Sequence, residues 1–312
     1  MEIRDKKILV FGLAESGVGA SNLLAGLGAK VTVTDSKPKE ALMKYVEKLL
    51  PSVRLSLGGH PDGILQGVNM IVISPGVPLD IAPLRKAKEM GIRIIGELEL
   101  AYQITQGLGV RGQGLAKETT PIPNPQSPIP FLAITGTNGK STTTTLVNEM
   151  LNKGGSRTIL GGNIGNALTE EMFGLVRSQK TDDDFLITLN SQLSTLNYVV
   201  AEVSSFQLET IEMFRPAGAS ILNITPDHMD RYHSMEKYKD AKARVFANQG
   251  EGDFLVLNAD DPETLKVRSE KLEVKSERPE TFYFSRKKRV EGIYFKDGVM
   301  YSNFNSSLFT LN

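Results

Sequence analysis

Short apolar runs alternate with amphipathic stretches through the first hundred residues. Residues 7–11 (Lys-Ile-Leu-Val-Phe) predict a buried strand, and 17–27, opening in a glycine-rich turn, predict a helix. A second strand is expected over 30–34, ending at Asp35, and a third, of buried type, over 70–74, running into Ser74-Pro75-Gly76. Residues 82–90 have helical spacing with Pro83 suited to a first turn, and 93–95 read as a further strand. Strands separated by helices in this way predict a mostly parallel sheet wrapped on its faces, hence an α/β domain over residues 1–105.

The pattern then breaks. Residues 106–130 hold four glycines and five prolines with few apolar side chains, a composition that suits a linker and not a core element. A second α/β region is expected from Phe131 to the last residue, 312, with strands over 131–134, 198–203, 220–225 and 254–258. Residues 177–197, with Asp182-Asp183-Asp184, read as a surface insertion whose acids are solvated. Near the end, 292–295 and 299–302 flank Lys296-Asp297-Gly298, a hairpin signal.

Composition narrows the function classes. Lys plus Arg and Asp plus Glu both number 36, so no net field recruits nucleic acid or an anionic membrane. There is no cysteine, which removes disulfides and thiolate metal sites. The N-terminal Met-Glu-Ile-Arg-Asp-Lys-Lys has no apolar signal core and no run reaches membrane-span length, so a cytoplasmic protein is expected.

The most informative string is Ile134-Thr-Gly-Thr-Asn-Gly-Lys-Ser-Thr142. An apolar run enters it, and Leu146, Val147, Met150 and Leu151 recur at helical spacing after it. Backbone N–H groups of such a glycine turn, with the positive end of the next helix, can surround phosphate oxygens. Lys140 would add a point charge on the β/γ-phosphates and Ser141 a hydroxyl for Mg²⁺. Gly136 lies only three residues before Gly139, so the loop is shorter than the usual eight-residue template. The other reading is a solvent turn ahead of a capped helix.

Upstream, Gly12-Leu-Ala-Glu-Ser-Gly17 follows the first strand, and Asp35 ends the second about where a ribose-binding acid belongs. Ala14 takes the place of the second glycine of a dinucleotide fingerprint, which leaves three readings: NAD, another nucleotide-shaped ligand, or a tight turn without a ligand. Downstream, Glu202 ends a strand beside the phosphate loop, a good place to hold Mg²⁺ or its waters. His228 sits between Asp227 and Asp230 just after a buried run, open to a metal, catalytic or structural role. Lys242 lies among Tyr238, Ala241, Val245 and Phe246, and spacing alone makes it a solvated lysine.

Six strings now occur in order: G-T-N-G-K-S-T, G-G-N-I-G (161–165), E-V-S-S-F-Q-L-E (202–209), D-H-M-D-R-Y (227–232), A-K-A-R (241–244) and N-A-D-D (258–261). Together they resemble the Mur ligases, most closely their D-glutamate-adding branch. The resemblance implies a Rossmann-like first domain and a P-loop-type α/β ATP-binding central domain. It implies that ATP phosphorylates the alanyl carboxylate of UDP-N-acetylmuramoyl-L-alanine and that D-glutamate attacks the acyl phosphate, in peptidoglycan precursor synthesis. By the same resemblance Gly136, Thr137, Asn138, Gly139, Lys140, Ser141 and Thr142 cradle ATP, and Ser141 and Glu202 ligate one Mg²⁺. His228 and Lys242 serve a second Mg²⁺, Lys242 as a carbamate. Glu15, Ser16, Asp35, Ser36, Ser74, Pro75 and Gly76 hold the UDP moiety, with Asn163 reaching the substrate from the second domain. The partners implied are these small molecules, with no nucleic acid and no membrane, and the chain is expected to be a monomer.

The family's third domain, with its D-glutamate and adenine contacts, has no counterpart before Asn312, so a two-domain portion is expected. A non-catalytic remnant that binds a UDP-sugar peptide or ATP would share these motifs. An NAD-dependent oxidoreductase would rest on Gly12–Asp35 alone.

Overall fold

The computed structural model describes residues 3–107, 128–176, 182–272 and 278–304. The first region comprises β1 (Lys7–Phe11), α1 (Glu15–Gly26), β2 (Lys30–Asp35), α2 (Lys39–Val46), β3 (Arg54–Leu57), β4 (Met70–Ile73), α3 (Ala82–Glu89), β5 (Arg93–Gly96) and α4 (Glu97–Thr105). Its strands form an all-parallel sheet in the order β3-β2-β1-β4-β5. The order reverses between β1 and β4, which opens a crevice at their carboxyl ends where ligands of such sheets bind.

The second region runs β6 (Phe131–Thr135), α5 (Lys140–Lys153), β7 (Thr158–Gly162), α6 (Leu168–Gly174), α7 (Asp182–Leu193), β8 (Tyr198–Glu202), α8 (Ser205–Leu208), β9 (Gly218–Ile221), α9 (Met229–Tyr232), α10 (Met235–Ala243), β10 (Phe254–Asn258), α11 (Pro262–Val267), β11 (Glu280–Ser285), β12 (Gly292–Lys296) and β13 (Val299–Asn303). The sheet order is β13-β12-β11-β10-β9-β6-β8-β7. Every pairing is parallel except the closing β12–β13 hairpin, which turns at Asp297-Gly298 with both residues at positive φ. β6 lies between β8 and β9, so the phosphate loop leaves the sheet at its own reversal of order.

The two regions share one continuous apolar core. It joins Ile8, Val10 and Leu24 of the first region to Phe131, Phe173 and Phe185 of the second. Tyr102 meets Phe131 and Phe214 edge to face at ring separations of 5.4 Å, closing the junction under α4.

Two sequence expectations are corrected here. Residues 182–193 are not a surface insertion but form α7, with Phe185, Leu186, Leu189 and Leu193 buried. Phe185 packs against Phe173 with ring centroids 5.9 Å apart and also sits over Gly26 of α1. The side chains of the three aspartates at its start, like residues 177–181, lie outside the described residues. On α5, the buried line is polar: Thr144 donates to the Lys140 carbonyl at 2.8 Å and Asn148 accepts from Thr158 at 2.6 Å. Leu146 and Met150 are instead 57% and 65% exposed. Polar side chains tolerate this burial because each has a partner. Most of the proline-rich linker, 108–127, lies outside the described residues.

Helix α4 fastens the junction with two buried acids. Glu99 accepts the backbone N–H groups of Glu212, Met213 and Phe214 at 2.9–3.0 Å. Glu97 accepts from the backbone and hydroxyl of Thr169 at 2.7 and 2.8 Å through Oε1, while its buried Oε2 meets no partner. Burial pushes the Glu97 carboxyl above its ordinary 4.5, the Thr169 hydrogen bonds opposing. The folded chain therefore holds a proton in a pH range where the unfolded chain has lost it, and this group's contribution to stability falls as pH rises from 4.5. Glu97→Gln keeps the Thr169 acceptor and removes the titration. Urea unfolding should find this variant gaining on the native chain as pH rises, by about 1–3 kcal/mol, the cost of a buried unpartnered polar group. A difference that does not vary with pH would contradict the assignment.

Candidate functional site

The carboxyl edge of each sheet gathers the residues singled out in the sequence. On the first sheet Gly12 turns at φ +89°, and a Cβ there would stand 2.8 Å from Val77 Cγ2, so the β1 loop lies flat against the β4 loop. Ser74, buried, donates from Oγ to the Gly12 carbonyl at 3.0 Å. Asp35 braces the same turn: Oδ2 accepts from Leu13 N at 2.8 Å and Oδ1 from Lys37 N at 2.9 Å. Its carboxylate is thus committed to positioning the loop, though each oxygen retains acceptor capacity. Glu15 is paired with Lys48 at 2.8 Å, while Ser36 and Gly76 are exposed and Ser16 and Pro75 half-buried.

On the second sheet, Gly136 (φ +148°) and Gly139 (φ +81°) shape the loop between β6 and α5. A Cβ at Gly136 would come within 3.1 Å of Leu222, so the loop packs tightly on the turn after β9. Asn223 pins it there: its Oδ1 accepts from Asn138 N at 2.8 Å, its Nδ2 donates to Asn138 O at 2.9 Å, and its carbonyl accepts from Thr137 N. Thr137 donates to the Thr225 carbonyl and lies 3.2 Å from the Tyr238 hydroxyl. Lys140 Nζ folds back over the loop onto Thr137 O at 2.8 Å. Ser141 and Thr142 are exposed at the start of α5.

Glu202 joins three elements. This carboxylate, 2% exposed, accepts from Ser141 Oγ at 2.7 Å on one oxygen and from Asn163 Nδ2 at 2.8 Å on the other. Directly after it, Ser204 and Gln207 form a reciprocal capping box that starts α8 and aims Phe206.

Lys242 is the clearest correction to the reading by spacing. It is buried, and its Nζ donates to Gly136 O at 2.8 Å and stands 4.6 Å over the Tyr238 ring. Desolvation first, and the charge of Lys140 second, lower its pKa to about 7, with Asp227 opposing. His228, also against Tyr238, holds a left-handed backbone (φ 54°) with its ring 4.8 Å from Phe206 and 6.4 Å from Tyr238. His228 is half-exposed and pairs with Asp227 at 3.5 Å.

Between the sheets opens a cleft of about 730 Å³, lined by Gly76, Leu79 and Asp80 from the first and by Phe206, His228 and Arg231 among others from the second. The structure thus brings Ser141, Asn163 and Glu202 together, Lys140 and Lys242 around the phosphate loop, and Gly76 and His228 onto one cleft. Glu15, Asp35 and Ser36 stay on the first sheet. Sequence reading missed Asn223, Thr225, Tyr238 and Phe206. The first two had a signal, polar residues just beyond a strand next to the loop's own.

Among the described residues no three His, Asp or Glu side chains converge to cage a metal. An all-oxygen pair such as Ser141 and Glu202 suits Mg²⁺, which keeps waters and takes phosphate oxygens in place of a full protein cage.

The fold is that of an α/β protein with a short glycine loop at a strand-order reversal and a hydroxyl and a buried carboxylate at the loop's exit, an arrangement suited to nucleotide phosphate. Residues 134–311 match the Mur ligase middle domain and residues 6–96 the Mur ligase MurD-like N-terminal domain, and the chain belongs to the Mur ligase family. It is 40% identical over 302 residues to the UDP-N-acetylmuramoylalanine–D-glutamate ligase of Pelotomaculum thermopropionicum, covering 96% of this chain and 56% of that protein. The enzyme of the same name from Geotalea daltonii is 42% identical over 302 residues, with 96% and 56% covered. The chain therefore spans just over half the length of these relatives. The crystal structure of UDP-N-acetylmuramate:L-alanyl-gamma-D-glutamyl-meso-diaminopimelate ligase from Neisseria meningitides superposes with a TM-score of 0.56 at 15% identity, covering 95% of this chain and 86% of that one, a likeness of fold.

Proposed function

We propose that this chain is part of an ATP-dependent ligase that adds D-glutamate to UDP-N-acetylmuramoyl-L-alanine in peptidoglycan precursor synthesis. Family members are ATP-dependent ligases that form amide bonds, which supports the reaction class. The observation that carries the reading is the 2.7 Å bond from Ser141 to the buried Glu202 carboxylate at the exit of the phosphate loop.

In this reading the first-sheet loops at Glu15-Ser16, Asp35-Ser36 and Ser74-Pro75-Gly76 bind the UDP moiety, and Asn163 reaches the substrate. The loop from Gly136 to Thr142 binds the ATP phosphates by its N–H groups, with Lys140 on the terminal phosphates. Ser141 and Glu202 would hold one Mg²⁺, and His228 and Lys242 would serve a second. Bound magnesium would supply charge neutralisation on the transferring phosphoryl group. An alanyl carboxylate oxygen attacks the γ-phosphorus and ADP leaves; the amine of D-glutamate then attacks the acyl carbon, gives up a proton, and phosphate departs. The chain's part is to hold the carboxylate in line with the γ-phosphate, worth about 7–11 kcal/mol in well-oriented systems. The protein is proposed to act as a cytoplasmic monomer.

Glu202→Ala and His228→Ala are each expected to raise the Mg²⁺ concentration needed for nucleotide binding while leaving UDP-precursor affinity unchanged. Titrations at several Mg²⁺ concentrations test this. Loss of precursor binding with unaltered metal dependence in both variants would reverse the division of labour.

A further inference from the structure

Arg231 is a half-buried cation that the reaction above does not use. Its Nη2 pairs with Glu209 Oε2 at 2.6 Å, both side chains being less than a quarter exposed. Its guanidinium lies 4.2 Å over the Phe206 ring, and Nη1 donates to the Pro75 carbonyl at 3.4 Å. Phe206 in turn packs against the His228 ring at 4.8 Å. One side chain therefore touches the β4 loop of the first sheet and, through Phe206, the histidine turn of the second, at the floor of the cleft between them.

We infer that Arg231 is a positioning residue that couples occupancy of the Ser74-Pro75-Gly76 loop to the setting of His228. This inference rests on the division of ligands proposed above. Three features support it. Pro75 O is a backbone atom of a loop that a first-sheet ligand must touch, so a ligand that moves the loop moves Arg231's acceptor. Glu209, on the short segment after α8, fixes the other end of the guanidinium, so the response is a tilt over Phe206 and not a free swing. His228 has a left-handed backbone, which an L-residue seldom adopts and which its neighbours must hold. A planar, stacked, forked cation suits this task and a lysine does not.

Calorimetry on the full chain tests the coupling. Mg²⁺ with a non-hydrolysable ATP analogue is titrated with and without saturating UDP-N-acetylmuramoyl-L-alanine. In the native chain the precursor should tighten nucleotide binding by about 5- to 150-fold, the usual range of coupling between sites. Arg231→Ala should bring that ratio to one while each ligand alone binds as before, an outcome that a merely structural role would not give. Arg231→Lys, which keeps the charge but loses the fork and stack, should give an intermediate ratio and serves if the alanine variant does not fold. A native-like ratio in either variant, or both affinities lost together with the ratio kept, overturns the inference. If the native chain binds both ligands without coupling, the inference fails and the proposed function stands. If it binds neither, the function reading fails and this one with it.

Discussion

In any form of the protein that turns over, replacing Lys140 by alanine is expected to lower the rate by roughly 10²–10³-fold, the usual cost of losing one preorganised charge contact to a group on which charge develops. Affinity for Mg²⁺ and an ATP analogue should also weaken, by the 1.5–3 kcal/mol typical of hydrogen bonds to charged groups, or roughly 10- to 10²-fold. The loop around it should survive, because Asn223 and Thr225 hold Thr137 and Asn138 without Lys140. Precursor affinity should not change, since the first-sheet loops make no use of this lysine. Nucleotide binding within a few-fold of native would remove the phosphate-loop assignment.

Lys242→Ala is expected to have an effect of similar size, for a different reason. A carbamate forms when a neutral amine attacks CO₂ and releases a proton, and an ordinary lysine is almost wholly protonated at pH 7. Burial and the Lys140 charge bring this one to about 7, so roughly half of it is a free amine there. The folded chain binds fewer protons than the unfolded one between about 7 and 10.5, so this lysine's contribution to stability rises with pH across that window. Nζ already donates to Gly136 O, and a carbamate nitrogen keeps one hydrogen for that bond while turning a cation into an anion beside the phosphate loop. With ¹³C-bicarbonate, native protein should show a carbamate resonance that Lys242→Ala lacks. With the family's third domain joined to the chain, turnover of the variant should fall by about 10²–10³-fold and be partly restored by short carboxylic acids. Full activity without added acid would contradict the role.

How far the sequence revealed this arrangement depended on whether the signal was local. Strands β1 and β10 lie where the apolar runs predict, and the hairpin at Asp297-Gly298 follows from its turn residues. Three strands were missed: β3 alternates at an exposed edge and β7 ends in two glycines, whereas β11 carries a clear signal in Phe282, Tyr283 and Phe284. Helix α7 was hidden because an acidic start drew attention from Phe185, Leu186, Leu189 and Leu193, whose burial is decided by α1 and α6. Lys242 was misread for the same kind of reason. Helix α10 is buried at Tyr238, Lys239, Ala241, Lys242 and Ala243, on more than one face, so periodicity cannot pick out the side under the phosphate loop. Motif strings marked Ser141, Asn163 and Glu202, but their convergence on one carboxylate needed β7 and β8 to pair in register at Gly162 and Glu202.

The central claim, that the two sheets divide a UDP-linked precursor and Mg²⁺·ATP between them, is tested most directly by a calorimetric titration. UDP-N-acetylmuramoyl-L-alanine is added to the native chain and to Lys140→Ala and Ser74→Trp, the last filling the crevice between the β1 and β4 loops. One-to-one precursor binding to the native chain is expected, unchanged in Lys140→Ala and lost in Ser74→Trp, while Ser74→Trp still binds the nucleotide. Precursor binding abolished by Lys140→Ala and retained in Ser74→Trp would contradict the claim.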